Sequence, residues 1–382
     1  MKSIPSVQSH LNSKFRGCIL GAIVGDCIGA RFDSHAEPFA AIASKTEPAS
    51  LRNQIPRSGG KFLFPFGVDS LMLLATSGLL LDSLKSKQGW SNGFTKETLR
   101  DTLQSSLRAQ AGESSSIKWS IGTRHVLENE SMEASLRSNC GVTRALVAGL
   151  WDPELAGPIC SATHTHSGAI KGAKAFAEAV HVAMRQDRLI EAHDIVDKEY
   201  QSVLEKAVNL AATSEYDEDD EFSTRLQDMF AARFGADASA RCGVAGALFA
   251  VRRTILALPY LDATSAAYRE RIMRVSKPGS VRSEKGLSLN ALGNSNRLDS
   301  AALFSRLTPS IEQDLPVAIA VNWAISLGGD CRSNAYLAGG LAGALWGEAA
   351  IPEEWLLFSE GVERGGRVAD QFSQLLGSAL RK

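Results

Sequence analysis

Apolar residues recur at three- and four-residue intervals along most of the chain, and this spacing is typical of α-helices. The same stretches are rich in alanine and leucine, whereas alternating runs of β-branched residues are almost absent. The predicted helices cover residues 12–31, 69–86, 95–110, 168–186, 189–213, 242–257, 311–327 and 333–347. Clusters of glycine, proline and serine predict loops at 49–67, 112–122, 152–158 and 275–297. We therefore expect an all-α fold, a single compact multi-helix domain over residues 12–378 that follows an N-terminal extension, residues 1–11.

Two of the predicted helices carry glycines at every fourth position. The first helix has Gly17, Gly21, Gly25 and Gly29, and the last has Gly339, Gly343 and Gly347. Each glycine costs about 1 kcal/mol of helix propensity relative to alanine, so a row of them on one face indicates that another backbone approaches closely. The two helices are expected near the centre of the fold. Packing alone does not account for Asp26, which lies within the first glycine row.

The charge balance narrows the classes of partner. The chain has 41 basic and 42 acidic residues in 382, a net charge of −1, and 44% of its residues are hydrophobic. These values are typical of a globular protein and give no reason to expect direct nucleic-acid binding or a membrane partner. Six cysteines without regular spacing suggest buried thiols in a reducing compartment. Because neither a signal peptide nor a transmembrane segment is evident, the expected location is cytoplasmic or nuclear.

Familiar catalytic motifs do not occur. There is no GxSxG elbow, Walker loop or HExxH sequence, and the Cys160, His164, His166 spacing matches no usual structural zinc pattern. Four aspartates, however, lie at positions that the pattern assigns to glycine-rich helix starts, and three of them are beside glycines: Asp26, Asp33, Asp69 and Asp330, of which Asp33 is the exception. Each is open to two interpretations, as an ordinary helix N-cap or as part of a phosphate or sugar site that glycines allow a ligand to approach.

Five segments resemble, in order, the motifs of the ADP-ribosylglycohydrolase family. FRGCILGAIVGDCIGARFD is similar to its opening motif, GVDSLMLLATSGLLLD to its Thr-Asp-Asp-Thr motif, and SNCGVTRALVAGL to its Asn-Gly-x-x-x-Arg segment. ATHTHSGAIKGA resembles the Thr-His segment, and LGGDCRSNAYLAGGLAGALWGEAAIPEEW resembles the closing Gly-Gly-Asp-Thr-Asp-Thr motif. The phrases RGC and GDCIG in the opening segment, LGN at 292–294 and the EG that follows IPEEW resemble most the branch that removes ADP-ribose from serine and from poly(ADP-ribose).

The resemblance implies an all-α domain whose central cleft binds ADP-ribose beside two magnesium ions, with a mobile glutamate over the site. Asp33 stands where that glutamate is expected and would be the catalytic residue of an active enzyme. The metal ligands that remain are Asp69, Asp330 and Ser333. Gly67 and Val68 replace the threonine and first aspartate of the second motif, and Arg332 replaces the second aspartate of the closing motif.

These replacements remove oxygen ligands and add a positive charge. Magnesium requires near-octahedral hard oxygen ligands, and two ions need several carboxylates to offset their four positive charges. Asp33, Asp69 and Asp330 together supply a charge of about −3, and Arg332 brings the local sum to about −2. We therefore expect magnesium to be weakly held or absent. Arg332 is predicted to be a replacement cation, paired with Asp69, Asp330 or both.

The resemblance also implies a set of ligand-binding positions, which are better retained. They are Asp26, Asn139, Gly141, Arg144, Thr163, His164, Gly293, Gly328 and Gly329. For His164 the alternative is a buried histidine with satisfied hydrogen bonds, and for Arg144 it is a structural ion pair.

Three functions are therefore open. The first is a pseudoenzyme that binds ADP-ribose or ADP-ribosylated protein and has lost or weakened its magnesium-dependent hydrolysis. The second is an active hydrolase that removes ADP-ribose from modified proteins or poly(ADP-ribose). The third is a structural or interaction protein whose cleft is filled.

Overall fold

The computed structural model describes residues 7–32, 37, 39–47, 64–85, 98, 101, 104–105, 138–186, 188–212, 220–258 and 315–379. In these ranges the chain is built from α-helices, short 3₁₀ turns and two isolated β-bridges, without a strand. The helices are α1 Val7–Gly29, α2 Phe39–Thr46, α3 Val68–Lys85, α4 Cys140–Trp151, α5 Ala156–Ser161, α6 Ser167–Gln186, α7 Lys198–Ala212, α8 Asp220–Phe234, α9 Ala240–Ala257, α10 Pro316–Ser326, α11 Cys331–Trp346, α12 Glu353–Phe358 and α13 Val362–Ala379. The all-α prediction is confirmed.

The antiparallel pair α1 and α11 forms the centre of the fold, as the glycine rows predicted. A Cβ atom added to Gly21 would lie 2.3 Å from the carbonyl oxygen of Gly339, and one added to Gly17 would lie 2.4 Å from that of Gly343. Real Cβ atoms essentially never come so close, so the two backbones touch without intervening side chains. The other helices surround this pair: α13 packs on α1, while α4, α6, α9 and α10 pack on α11.

A buried cation joins α1 to the end of α6. Lys14 is 1% exposed, and its ammonium donates a 2.6 Å hydrogen bond to the carbonyl oxygen of Ala183. The last carbonyls of a helix lack intrahelical partners and carry partial negative charge, so a lysine is favourable at this position. The contact fixes the first turns of α1 against the surrounding layer.

Several predicted boundaries need correction. Residues 189–213 do not form one helix, because a 3₁₀ turn at Ala192–Asp194 precedes α7 and Asp197 accepts hydrogen bonds from the first amides of that helix. Part of the predicted loop 152–158 is helical, since Asp152 caps a 3₁₀ turn that leads directly into α5. The pattern also omitted α2, α4, α8, α12 and α13. Most of the predicted helix 95–110 lies outside the described residues.

No helix in the described ranges combines the length and hydropathy needed to span a bilayer.

Candidate functional site

One end of the central pair α1 and α11 meets the start of α3, and this junction brings three of the predicted acidic residues together. Asp26 lies in the last turn of α1, Asp69 in the first turn of α3, and Asp330 caps the start of α11. The prediction that Asp26 marks a helix start is therefore wrong, because α1 continues through it to Gly29. A carboxylate is unfavourable at a helix C-terminus, so Asp26 requires compensation from elsewhere.

The compensation for Asp26 comes from α3 and α11. Its Oδ2 accepts hydrogen bonds from the backbone amides of Gly67, at 2.7 Å, and Ser70, at 3.1 Å. Its Oδ1 lies 2.6 Å from Nε of Arg332 in an ion pair. Asp26 is fully buried, whereas the Arg332 side chain is 27% exposed. The internal cation was expected, but its direct partner is Asp26 rather than the predicted Asp69 or Asp330.

Arg332 also interacts electrostatically with the carboxylate of Asp69. Burial alone would lower the pKa of Arg332, yet the charges of Asp26 and then Asp69 raise it above the ordinary value. The guanidinium is therefore a permanent positive charge among these carboxylates.

The hydroxyl groups of Thr143 and Ser333 form a clasp around the carboxylate of Asp69. Its Oδ1 accepts a hydrogen bond from Thr143 at 2.8 Å, and its Oδ2 accepts one from Ser333 at 2.6 Å. The carboxyl group is 1% exposed. Burial, together with the charges of Asp26 and Asp330, raises the pKa of Asp69 to about 7, against the smaller opposing effect of the two hydroxyls. Its surroundings therefore favour the protonated form of Asp69 more than water does.

Asp330 caps α11 and follows a tight turn. Its Oδ1 accepts a hydrogen bond from the amide of Ser333 at 3.2 Å, so its N-cap interpretation is correct. The two preceding residues, Gly328 and Gly329, have φ of 72° and 70°, a left-handed conformation that favours glycine. A Cβ on Gly329 would lie 3.1 Å from the backbone of Ala236. The structure thus assigns these two glycines to the turn between α10 and α11.

A second cluster lies at the start of α4, next to the clasp around Asp69. Arg144 is fully buried and donates from Nη2 to the hydroxyl of Thr163 and, at 3.4 Å, to the carbonyl oxygen of Cys160. Within the described ranges it has no carboxylate partner, and its Nε and Nη1 have no hydrogen-bond acceptor. The ion-pair interpretation of Arg144 is therefore not supported by this part of the chain.

His164 and Asn139 complete this cluster. His164 is fully buried, with Nε2 2.7 Å from the hydroxyl of Ser138 and Nδ1 2.8 Å from that of Thr163. Burial and the nearby Arg144 charge lower the pKa of His164 to about 3, so its imidazole is neutral. Asn139 is also fully buried, and its side-chain amide has no hydrogen-bond partner in the ranges that the structure covers.

Gly141 allows these side chains to approach α4. A Cβ at this position would lie 2.6 Å from Sγ of Cys160 and 3.0 Å from Cγ of His164. Although Cys160 and His164 are thus neighbours, His166 instead accepts a hydrogen bond from the amide of Gly168. The zinc interpretation gains no support, and the described residues contain no group of three or more His, Cys, Asp or Glu side chains suited to a metal ion.

Two predicted site residues, Asp33 and Gly293, lie outside the described residues. Their roles stay predictions.

The sequence profile of the ADP-ribosylglycohydrolases matches the chain from residue 7 to residue 379. The chain belongs to the ADP-ribosylglycohydrolase family. No curated protein matches its sequence. Among solved structures, a chain titled "ADP-ribosylglycohydrolase-related protein complex" is similar over 96% of this chain and 98% of its own, with a TM-score of 0.51 and 17% identity. At that identity the likeness shows a shared fold.

The described residues of this family member do not fit the magnesium pair that the resemblance implied. Both oxygens of Asp69 accept hydrogen bonds from hydroxyls, and both oxygens of Asp26 are taken by amides and by Arg332. The hydroxyl group of Ser333 donates its hydrogen bond to Asp69. Magnesium needs hard oxygen ligands in a near-octahedral array, whereas Gly67 and Val68 offer no side-chain oxygen and the guanidinium of Arg332 repels a divalent cation.

Thr143 and Ser138, which no sequence pattern indicated, connect and orient the residues of the two clusters. Thr143 binds Asp69 and directly precedes Arg144, so α4 carries one side chain into each cluster. Ser138 orients His164 in the same way. The signal that could have indicated them was their position inside the Asn-Gly-x-x-x-Arg segment, where hydroxyl residues flank the motif positions.

A groove of about 790 Å³ lies elsewhere in this fold. It is lined by parts of α7 and α9 and by Leu345 and Trp346 at the end of α11. Because the acidic residues lie at the start of α11, the groove is at the opposite end of that helix and is not part of the candidate site.

Proposed function

We propose that this member of the ADP-ribosylglycohydrolase family is a pseudoenzyme that binds ADP-ribose, or ADP-ribose attached to protein, without magnesium-dependent hydrolysis. The observation that carries the proposal is the internal use of the acidic residues: Asp26 is neutralised by Arg332, and Asp69 is clasped by Thr143 and Ser333. The positive charge of Arg332 beside Asp26 and Asp69 opposes binding of a divalent ion there, and a metal-activated water depends on that ion.

The cluster at the start of α4 supports retained binding. Arg144 and Asn139 keep buried polar atoms without partners in the described part of the chain. Such atoms are costly when they stay unsatisfied, so their presence suggests that a polar, hydroxyl- or phosphate-bearing ligand completes them. Both residues are among the ligand-binding positions that the family resemblance implied.

The full burial of these residues favours a second candidate, a protein whose cleft is filled and which serves as an interaction module. Asn139, Arg144 and His164 are all 0% exposed. A ligand would have to displace part of their surroundings, whereas a filled cleft needs no such change. The two candidates differ in whether ADP-ribose binds.

Isothermal titration with ADP-ribose, in EDTA and in millimolar magnesium, distinguishes them. We expect binding of equal strength in both buffers, and no release of ADP-ribose from a modified serine peptide. Gly141→Val should abolish binding because the larger side chain would strike Cys160 and His164, whereas Gly78→Ala should bind normally since a Cβ there meets nothing within 4 Å. Absence of binding would favour the filled cleft. Release of ADP-ribose that requires magnesium would establish the active hydrolase.

A further inference from the structure

Arg332 and Gly67 fit together in a way that neither residue explains alone. A Cβ added to Gly67 would lie 2.3 Å from Cζ of Arg332, 2.5 Å from its Nε and 2.6 Å from its Nη2. All three separations are shorter than real Cβ contacts. While the guanidinium lies at this place, residue 67 can carry no side chain.

The same guanidinium connects three helices. It extends from the first turn of α11 to Asp26 on α1, and it lies against Gly67, which immediately precedes α3. Asp26 in turn accepts hydrogen bonds from the backbone amides of Gly67 and Ser70, so it links the start of α3 to Arg332. Asp26 and Arg332 together carry no net charge.

We propose that Arg332 is a built-in substitute for the divalent ions of the family, and that Gly67 is the space it requires. The two departures from the family motifs, glycine for threonine and arginine for aspartate, then form one exchange: a bound cation and its ligands are replaced by a covalently attached cation and a cavity for it. Arg332 keeps the ends of α1, α3 and α11 together without a metal. This role is independent of whether ADP-ribose binds.

A double-mutant cycle in thermal unfolding tests the pairing. The proteins are wild type, Gly67→Ala, Arg332→Ala and the double variant. We expect Gly67→Ala to lower the melting temperature by several degrees when Arg332 is present, and by less than half as much when it is absent. A small loss should remain, because alanine is a poorer residue than glycine just before a helix.

Gly78→Ala is the matched control, since it places the same methyl group in α3 with nothing within 4 Å. It should raise the melting temperature equally with and without Arg332. If Gly67→Ala costs the same in both backgrounds, the pairing is refuted. Should Arg332→Ala fail to fold, Arg332→Lys serves as the second background, because its slender ammonium lacks the guanidinium plane that faces Gly67.

A second experiment tests the substitution for metal. The triple variant Gly67→Thr, Val68→Asp, Arg332→Asp restores the family oxygens and removes the cation. We expect millimolar magnesium to raise its melting temperature while leaving that of the wild type unchanged, because only a protein that binds the ion is stabilised by it. An equal response of the two proteins to magnesium would overturn the proposal.

Discussion

Replacing Asp69 by asparagine should make the protein more stable at pH 8 than the wild type is. Asp69 is 1% exposed and is bounded by the hydroxyls of Thr143 and Ser333. An asparagine has nearly the same shape, and its carbonyl can accept one hydroxyl proton while the other hydroxyl rotates to accept from its amide. The variant therefore keeps the clasp and removes the charge.

The magnitude follows from the pKa of Asp69. Its value rises from 3.8 to about 7 on folding, chiefly because burial disfavours the charged form. Between these values the folded state binds more protons than the unfolded state, so the free energy of unfolding falls as the pH rises. One pKa unit corresponds to about 1.4 kcal/mol, and the wild type should lose about 3 kcal/mol relative to Asp69→Asn between pH 5 and pH 8.

Urea unfolding at pH 5, 6, 7 and 8 measures this difference. Asp194→Asn is a useful control, because Arg188 holds the pKa of Asp194 at about 2 and its contribution is lost only in strong acid. That variant should show a constant deficit from pH 5 to pH 8. If the difference between Asp69→Asn and the wild type is also constant, Asp69 is charged throughout this range and the account of the site is incorrect.

Three further predictions concern the scaffold and the second cluster. Gly21→Ala should destabilise the protein by about 3 kcal/mol in urea unfolding, because its Cβ would lie 2.3 Å from a carbonyl oxygen of α11, whereas Gly78→Ala should stabilise it by about 1 kcal/mol. Lys14→Met should cost about 1–2 kcal/mol in the same assay, since the last carbonyls of α6 lose their cation. The imidazole NMR signals of His164 should not titrate between pH 5.5 and pH 8, because its pKa is about 3; a titration there would show that water reaches this cluster.

The sequence predicted the scaffold better than the site because the two depend on different kinds of information. Gly21 and Gly339 recur in rows at helical spacing, and close backbone contact is nearly the only reason for such rows. Arg332 was recognisable as an internal cation because it stands where the motif has an aspartate. That Asp26 is its partner could not be predicted, because which carboxylate lies nearest to Arg332 depends on how side chains project from three helix ends. Asp26, placed by the pattern at a helix start, is in fact in the last turn of α1.

The glycine contacts between α1 and α11 set more than the spacing of these helices. Because each backbone faces bare backbone on the other helix, side chains at Gly17, Gly21, Gly339 or Gly343 would strike the facing carbonyls and push the helices apart. Asp26 and Arg332 lie at one end of this helix pair, so their separation depends on glycines up to about three helical turns away. A chain built in this manner can exchange the chemistry at the tip of its central helices while its architecture stays intact.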